Sequence, residues 1–98
     1  MTIKIKKDKE EIIMEITGRL DTTTAPALEK TINENLSGIK NLILDLKSLE
    51  YISSAGLRVL LSAQKKMQHV GTMKIVNVCE LVMEVFEMTG FSDILTIE

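Results

Sequence analysis

Hydrophobic positions alternate at the start of the chain. Ile3 and Ile5 fall on one side of Thr2–Lys6, and Ile12, Met14 and Ile16 on one side of the next segment, with Ile13 on the other. Such alternation predicts half-buried β-strands. The charged run Lys7-Asp8-Lys9-Glu10 between them is short enough to predict an antiparallel hairpin, and Gly18 is expected to end its second strand. The period then changes. Leu28, Ile32 and Leu36 recur at four-residue spacing, with Glu29, Lys30, Asn33 and Glu34 between them, which predicts an amphipathic helix. The preceding Asp21-Thr22-Thr23-Thr24 offers a threonine oxygen as N-cap. Pro26 suits the first turn, where its missing donor has no partner anyway, and Ser37-Gly38 stops the helix.

Leu42-Ile43-Leu44-Asp45-Leu46 is a nearly continuous apolar run, which predicts a central strand covered on both faces. Lys47 to Ile52 is expected as a loop that dips into the core. From Ser54 a long helix should run to about Val70, with Leu57, Leu60, Leu61, Gln64 and Met67 on its inner face. Met73–Val78 reads as a strand. Glu80–Thr89 reads as a helix with Leu81, Val82, Val85 and Phe86 inward and Glu80, Glu84 and Glu87 outward. Ile94–Ile97 is a candidate final strand. The order β-β-α-β-α-β-α-(β) predicts one α/β domain spanning residues 1–98. Its mixed sheet has four to five strands, an opening antiparallel hairpin and an otherwise mainly parallel remainder, with helices packed on it. Sites in open α/β sheets lie beyond the carboxyl ends of the strands. That points to the loops Gly18–Thr24, Lys47–Ser54 and Asn77–Glu80.

Composition narrows the function. Hydrophobic residues are 45% and charged residues 27% of the chain, an ordinary globular balance, but aromatics are only 3%. The core is therefore aliphatic, and a base-stacking platform has almost nothing to be built from. Twelve basic against fourteen acidic residues give a net charge of -2. This argues against nucleic acid as a partner and against a polybasic membrane anchor. No apolar run is long enough for membrane insertion, and the first residues lack the apolar stretch of a signal peptide, so a cytoplasmic location is expected. Cys79 and His69 are the only Cys and His. They are too few for a disulfide or a zinc site, and no cofactor or metal is implied.

Catalytic motifs are equally thin. Phosphate-loop, dinucleotide and Gly-x-Ser-x-Gly patterns are absent. Ser54 would need a base, and His69 is expected about 24 Å away along the same helix. No catalytic residues are assigned, the chain is not expected to be an enzyme, and a nucleotide-binding protein or enzyme ranks last among the readings.

The sharpest feature is Tyr51-Ile52-Ser53-Ser54-Ala55-Gly56-Leu57. Two hydroxyls stand where a helix begins. The commonest role for such a serine is an N-cap. The same geometry suits a covalent phosphate, because a helix start offers free N–H groups and a positive dipole end. Gly56 costs about 0.5–1 kcal/mol relative to Ala inside a helix. Close approach of a partner's backbone, or a packing contact within the domain, would each explain it.

Gly18-Arg19-Leu20-Asp21 with Ala25-Pro26-Ala27-Leu28, then Leu42-Ile43-Leu44-Asp45-Leu46, then Tyr51 to Leu57, and finally Val85-Phe86-Glu87-Met88-Thr89-Gly90-Phe91, together resemble the STAS domain. More narrowly, the chain is similar to bacterial anti-sigma factor antagonists over essentially its whole length. The resemblance implies partner switching. The unphosphorylated protein binds an anti-sigma factor that is also a serine kinase, and so releases a sigma factor. Phosphorylation blocks binding, and a serine phosphatase reverses it. Aligned on Gly56, the acceptor falls on Ser54, with Ser53 as rival. Ser53 stands where the family commonly has Asp, and Ala55 where it commonly has a second hydroxyl. The expected docking surface comprises Asp21, Thr22, Thr23, Ser53, Ser54, Ala55, Gly56 and Leu57. The alternative within binding modules is a STAS adaptor subunit of a stress-signalling or lipid-transport complex.

Overall fold

The hairpin forms as expected in the computed structural model, which describes residues 1–98. β1 (Thr2–Asp8) pairs antiparallel with β2 (Glu11–Leu20). α1 (Ala25–Asn35) then crosses to β3 (Asn41–Ile52), and α2 (Ser54–Gln68) crosses to β4 (Thr72–Val76). Both crossovers return to parallel strands, so the sheet order is β1-β2-β3-β4. α3 (Glu80–Thr89) and a single 3₁₀ turn (Phe91–Asp93) complete the chain.

Register explains the core. Ile12, Leu42 and Met73 are neighbours across β2, β3 and β4, and so are Met14, Leu44 and Ile75. Successive strand residues point to opposite faces, so these rows lie on one face. Every one of them is buried. They meet Leu28 and Ile32 of α1, Leu57, Leu60, Ala63 and Met67 of α2, and Val82 and Phe86 of α3 in one apolar cluster. The cluster holds no buried polar or charged residue, so no charge inside it needs compensation.

The opposite face corrects one expectation. β3 is not covered on both sides. Ile43 and Asp45 are only half-buried there, beside Ile13 and Glu15 of β2. Three helices suffice to cover one face of a four-stranded sheet, and the chain has no others.

Other boundaries move for identifiable reasons. The segment from Lys47 to Ile52, expected as a loop, continues β3. Leu46, Leu49 and Ile52 are all buried, but at three-residue spacing, because two register shifts interrupt the pairing with β2. Each shift places an extra β3 residue against β2, as in a β-bulge. Gly18 does not end β2; it sits within the strand at φ 104°, between those shifts, a conformation glycine adopts without steric cost. Leu81 is 56% exposed, because α3 meets the sheet along the single stripe of Val82 and Phe86. The expected strand at Ile94–Ile97 is reduced to one parallel bridge, Ile75 with Ile97. On β1, Ile5 is 41% exposed, since this edge strand reaches past the helices. Met14, Met67 and Met73 are buried in the core.

Candidate partner-docking site

β2 and β3 end together. Arg19 pairs with Tyr51 and Leu20 with Ile52, and the Ser53 N–H donates to the Leu20 carbonyl at 2.8 Å, adding one more rung. Two parallel strands therefore release α1 and α2 side by side from one edge of the sheet.

The first exit is a tight polar turn. The Asp21 carboxylate accepts the Thr23 N–H at 3.0 Å and the Thr24 N–H at 3.1 Å. Hydrogen bonds from the Thr23 side chain and the Thr24 backbone hold the Asp21 carboxyl below the usual carboxylate range, and partial desolvation opposes them. Thr24 stands at the N-cap of α1 but does not cap it with its side chain. Its hydroxyl instead donates to the Arg19 carbonyl at 2.8 Å and accepts the Asp21 N–H at 2.9 Å. The helix start is satisfied by backbone. The Ala25 N–H reaches the Asp21 carbonyl, the Ala27 N–H reaches the Thr24 carbonyl, and Pro26 has no donor.

The second exit is simpler. Ser53 is extended, and its Oγ accepts the Gly56 N–H at 3.3 Å, so Ser53 is the N-cap. Ser54 is the first helical residue. It is exposed, and its hydroxyl has no protein partner. The N–H groups of Ser54 and Ala55 likewise find no acceptor in the chain, because the first acceptor bond of the helix runs from the Leu57 N–H to the Ser53 carbonyl. The first turn of α2 contains no acidic residue.

Gly56 is explained within the domain. A Cβ there would stand 2.7 Å from Leu20 Cγ and 2.9 Å from Ile52 Cγ1. Both side chains are buried, so glycine is what lets the first turn of α2 settle on the strand ends. Gly56 is therefore buried, and Leu57 is only 6% exposed. These two expected docking residues shape the edge from beneath and offer no side chain to a partner. Thr22, Thr23 and Ser54 are exposed, while Asp21, Ser53 and Ala55 are half-buried. Thr22 and Ala55 line one groove between α1 and α2, together with Pro26, Glu29 and Arg58.

Three residues at this edge escape the sequence reading. The Arg19 guanidinium lies 4.2 Å from the centre of the Tyr51 ring and 4.0 Å from the Asp21 carboxylate. Only the continuation of β3 brings Tyr51 beside Arg19, and the broken period at Leu46-Leu49-Ile52 concealed it. Arg58 lies one turn inside α2, beyond the capping residues that carry a local signal.

The other candidates keep structural roles. Asp45 accepts the Lys47 N–H at 3.0 Å and the Asn77 side-chain amide at 3.2 Å. Cys79 is half-buried and donates to the Leu49 carbonyl. His69 caps the far end of α2, and Cys79 stands at the start of α3. No group of three or more His, Cys, Asp or Glu side chains converges as a metal site. No helix is long and apolar enough to cross a membrane.

This arrangement, a single α/β unit with two helix starts exposed on one sheet edge, is that of a known family. Residues 2–98 match the STAS domain, and the chain belongs to that family. It is 35% identical over 96 residues to the putative anti-sigma factor antagonist BtrV of Bordetella bronchiseptica, covering 94% of this chain and 83% of that protein. It is 28% identical over 98 residues to the anti-sigma-B factor antagonist of Bacillus subtilis, covering 99% of this chain and 90% of that one. Its fold matches SpoIIAA, an anti-sigma factor antagonist and Bacillus cell-fate determinant. The TM-score is 0.78 for the unphosphorylated form and 0.77 for the phosphorylated form, at 16% identity over 99% of this chain and 87% and 91% of the two solved chains.

Proposed function

We propose that this chain is a cytoplasmic anti-sigma factor antagonist, regulated by phosphorylation and not itself an enzyme. Its unphosphorylated form binds an anti-sigma factor that is also a serine kinase, and a sigma factor is released. The observation that carries this reading is the division of labour between adjacent hydroxyls. Ser53 spends its oxygen on the Gly56 N–H, whereas Ser54 is exposed and unpartnered beside two free N–H groups. The names of the relatives and the two phosphorylation forms of SpoIIAA support it.

In the switching step the γ-phosphoryl group of ATP passes to Ser54 Oγ. The bond to the β-phosphate oxygen breaks, ADP leaves, and the hydroxyl proton goes to a base on the kinase. The product carries about -1.5 to -2 charges at the start of α2. The free N–H groups and the dipole end stabilise it in place, so the fold need not change. Docked against a partner, the same dianion would be buried unpaired, which costs several kcal/mol. A serine phosphatase restores the hydroxyl by hydrolysis.

The experiment is calorimetric titration of the anti-sigma factor encoded nearest this chain, with mass spectrometry after incubation with ATP. Wild type and Ser53→Ala should bind and gain one phosphate on Ser54. Ser54→Ala should bind and gain none, and Ser54→Asp should bind at least about a hundredfold more weakly. Wild-type affinity in Ser54→Asp sinks the switch.

A further inference from the structure

α2 carries Arg58, Lys65 and Lys66 and neither Asp nor Glu. With three of the twelve basic residues on this helix, nine remain elsewhere against all fourteen acidic ones, so the rest of the chain has net charge -5. The charge is segregated in space as well. Arg58, Ser62, Lys65 and His69 follow at intervals of four, three and four residues, which places them on one face of the helix. Together with Lys66 they line one shallow groove along α2, and Arg58, Lys65, Lys66 and His69 are exposed. All four ion pairs of the molecule lie elsewhere, and the one side-chain partner on this face is neutral, Asn33 of α1 with Lys66.

Helix stability accounts for only part of this. Lys65 and Lys66 stand in the last turn, where the dipole favours cations. Arg58 stands near the opposite end, where the dipole disfavours one, and no acid in the first turn offsets it.

We infer, resting on the anti-sigma factor reading above, that this face of α2 is the electrostatic flank of the docking surface and that the anti-sigma factor presents an acidic patch to it. Charge complementarity selects the occupant. A nucleic acid or an anionic membrane is an extended polyanion, and against a body of 33 × 26 × 20 Å it would also meet the net -5 of the remaining surface. An acidic patch on a protein is limited in area and matches one helix face. The stripe begins one turn after Ser54, so a phosphate of about -1.5 to -2 there offsets most of its three formal cations. Modification then weakens the attraction along α2 as well as burying charge at its start.

The test compares wild type with Lys65→Glu/Lys66→Glu and with Lys4→Glu/Lys47→Glu, which makes the same change in net charge on the open face of the sheet, beside Glu15 and Asp45. Each is titrated against the anti-sigma factor at low and high salt. The α2 variant should bind at least about tenfold more weakly at low salt, with the deficit shrinking at high salt, while the open-face variant binds like wild type. Lys65→Gln/Lys66→Gln should fall between them at unchanged Tm, which separates charge from misfolding. Equal binding by wild type and the α2 variant overturns the inference and leaves the anti-sigma factor reading standing. Failure of wild type to bind overturns both. Binding of wild type to a DNA duplex or to phosphatidylserine vesicles, abolished in the α2 variant, assigns the face to a polyanion and overturns it. Self-association abolished by the same substitutions assigns the face to a second copy and likewise overturns it.

Discussion

α1 and α2 leave the same edge of the sheet one strand apart, yet their first turns are finished in opposite ways. At α1 every donor is accounted for. Asp21 supplies a carboxylate and a carbonyl, Thr24 supplies a carbonyl, and Pro26 has no N–H to satisfy. At α2 only the Gly56 and Leu57 donors are taken, both by Ser53, and the Ser54 hydroxyl and two N–H groups have no partner in the chain. One helix start already carries a negative charge; the other carries none and has room for one. The comparison teaches that the electrostatics of the α2 start suit an added anion, as the proposed switch requires, whereas the α1 start already has its own.

The packing beneath the two starts is the place to break this comparison hardest. Leu20 is fully buried where both helices begin. Leu20→Ala should cost about 2–5 kcal/mol in urea unfolding. Gly56→Ala should cost about 1–3 kcal/mol by overpacking. If the Cβ at position 56 fails because of Leu20, the double variant will be more stable than the two single losses predict when added. Strict additivity would mean that Leu20 is not what requires glycine there.

The two serines sharpen it at smaller magnitude. Ser53→Ala removes the cap and should cost about 1 kcal/mol. Ser54→Ala removes an unpartnered exposed hydroxyl and should stay within about 0.5 kcal/mol of wild type. Reversal of that order in chemical denaturation would exchange the roles of the two hydroxyls.

The smallest effect concerns acid. The Asp21 carboxyl is lowered from 3.8 in the folded chain, so it stabilises the fold above that value, and the contribution is lost as pH falls through the folded value. Asp21→Asn should be less stable than wild type at neutral pH, and the gap should close on acidification below pH 3.8. A gap that widens in acid would show that Asp21 is not the charge that finishes α1.

Elements with an unbroken period were legible in the sequence, and those with a broken one were not. The hairpin, the stripe Leu28-Ile32 and the stripe Leu57-Leu60-Met67 each repeat at the spacing of one backbone geometry. The second half of β3 changes its spacing from two to three at Leu46, and the local pattern looks like a loop. Only pairing with β2 absorbs the extra residues. The site divides in the same way. Ser53, Ser54 and Asp21 were visible as polar residues at predicted helix starts, because capping is a local transaction. Arg19 over Tyr51 was invisible, because those residues are far apart in sequence and meet only through strand register.

The sequence by itself therefore determined the order of elements, the aliphatic core and the two hydroxyls at the start of α2. These follow from periodicity, composition and chain direction, all of which act over a few residues. Tertiary structure decided the rest. It left one face of the sheet open, gave Gly56 its reason in the contact with Leu20, and withdrew Gly56 and Leu57 from the surface. It also assigned the cap to Ser53 and the exposure to Ser54. Each of these depends on which distant side chain arrives within a few ångströms, and no local pattern encodes that distance.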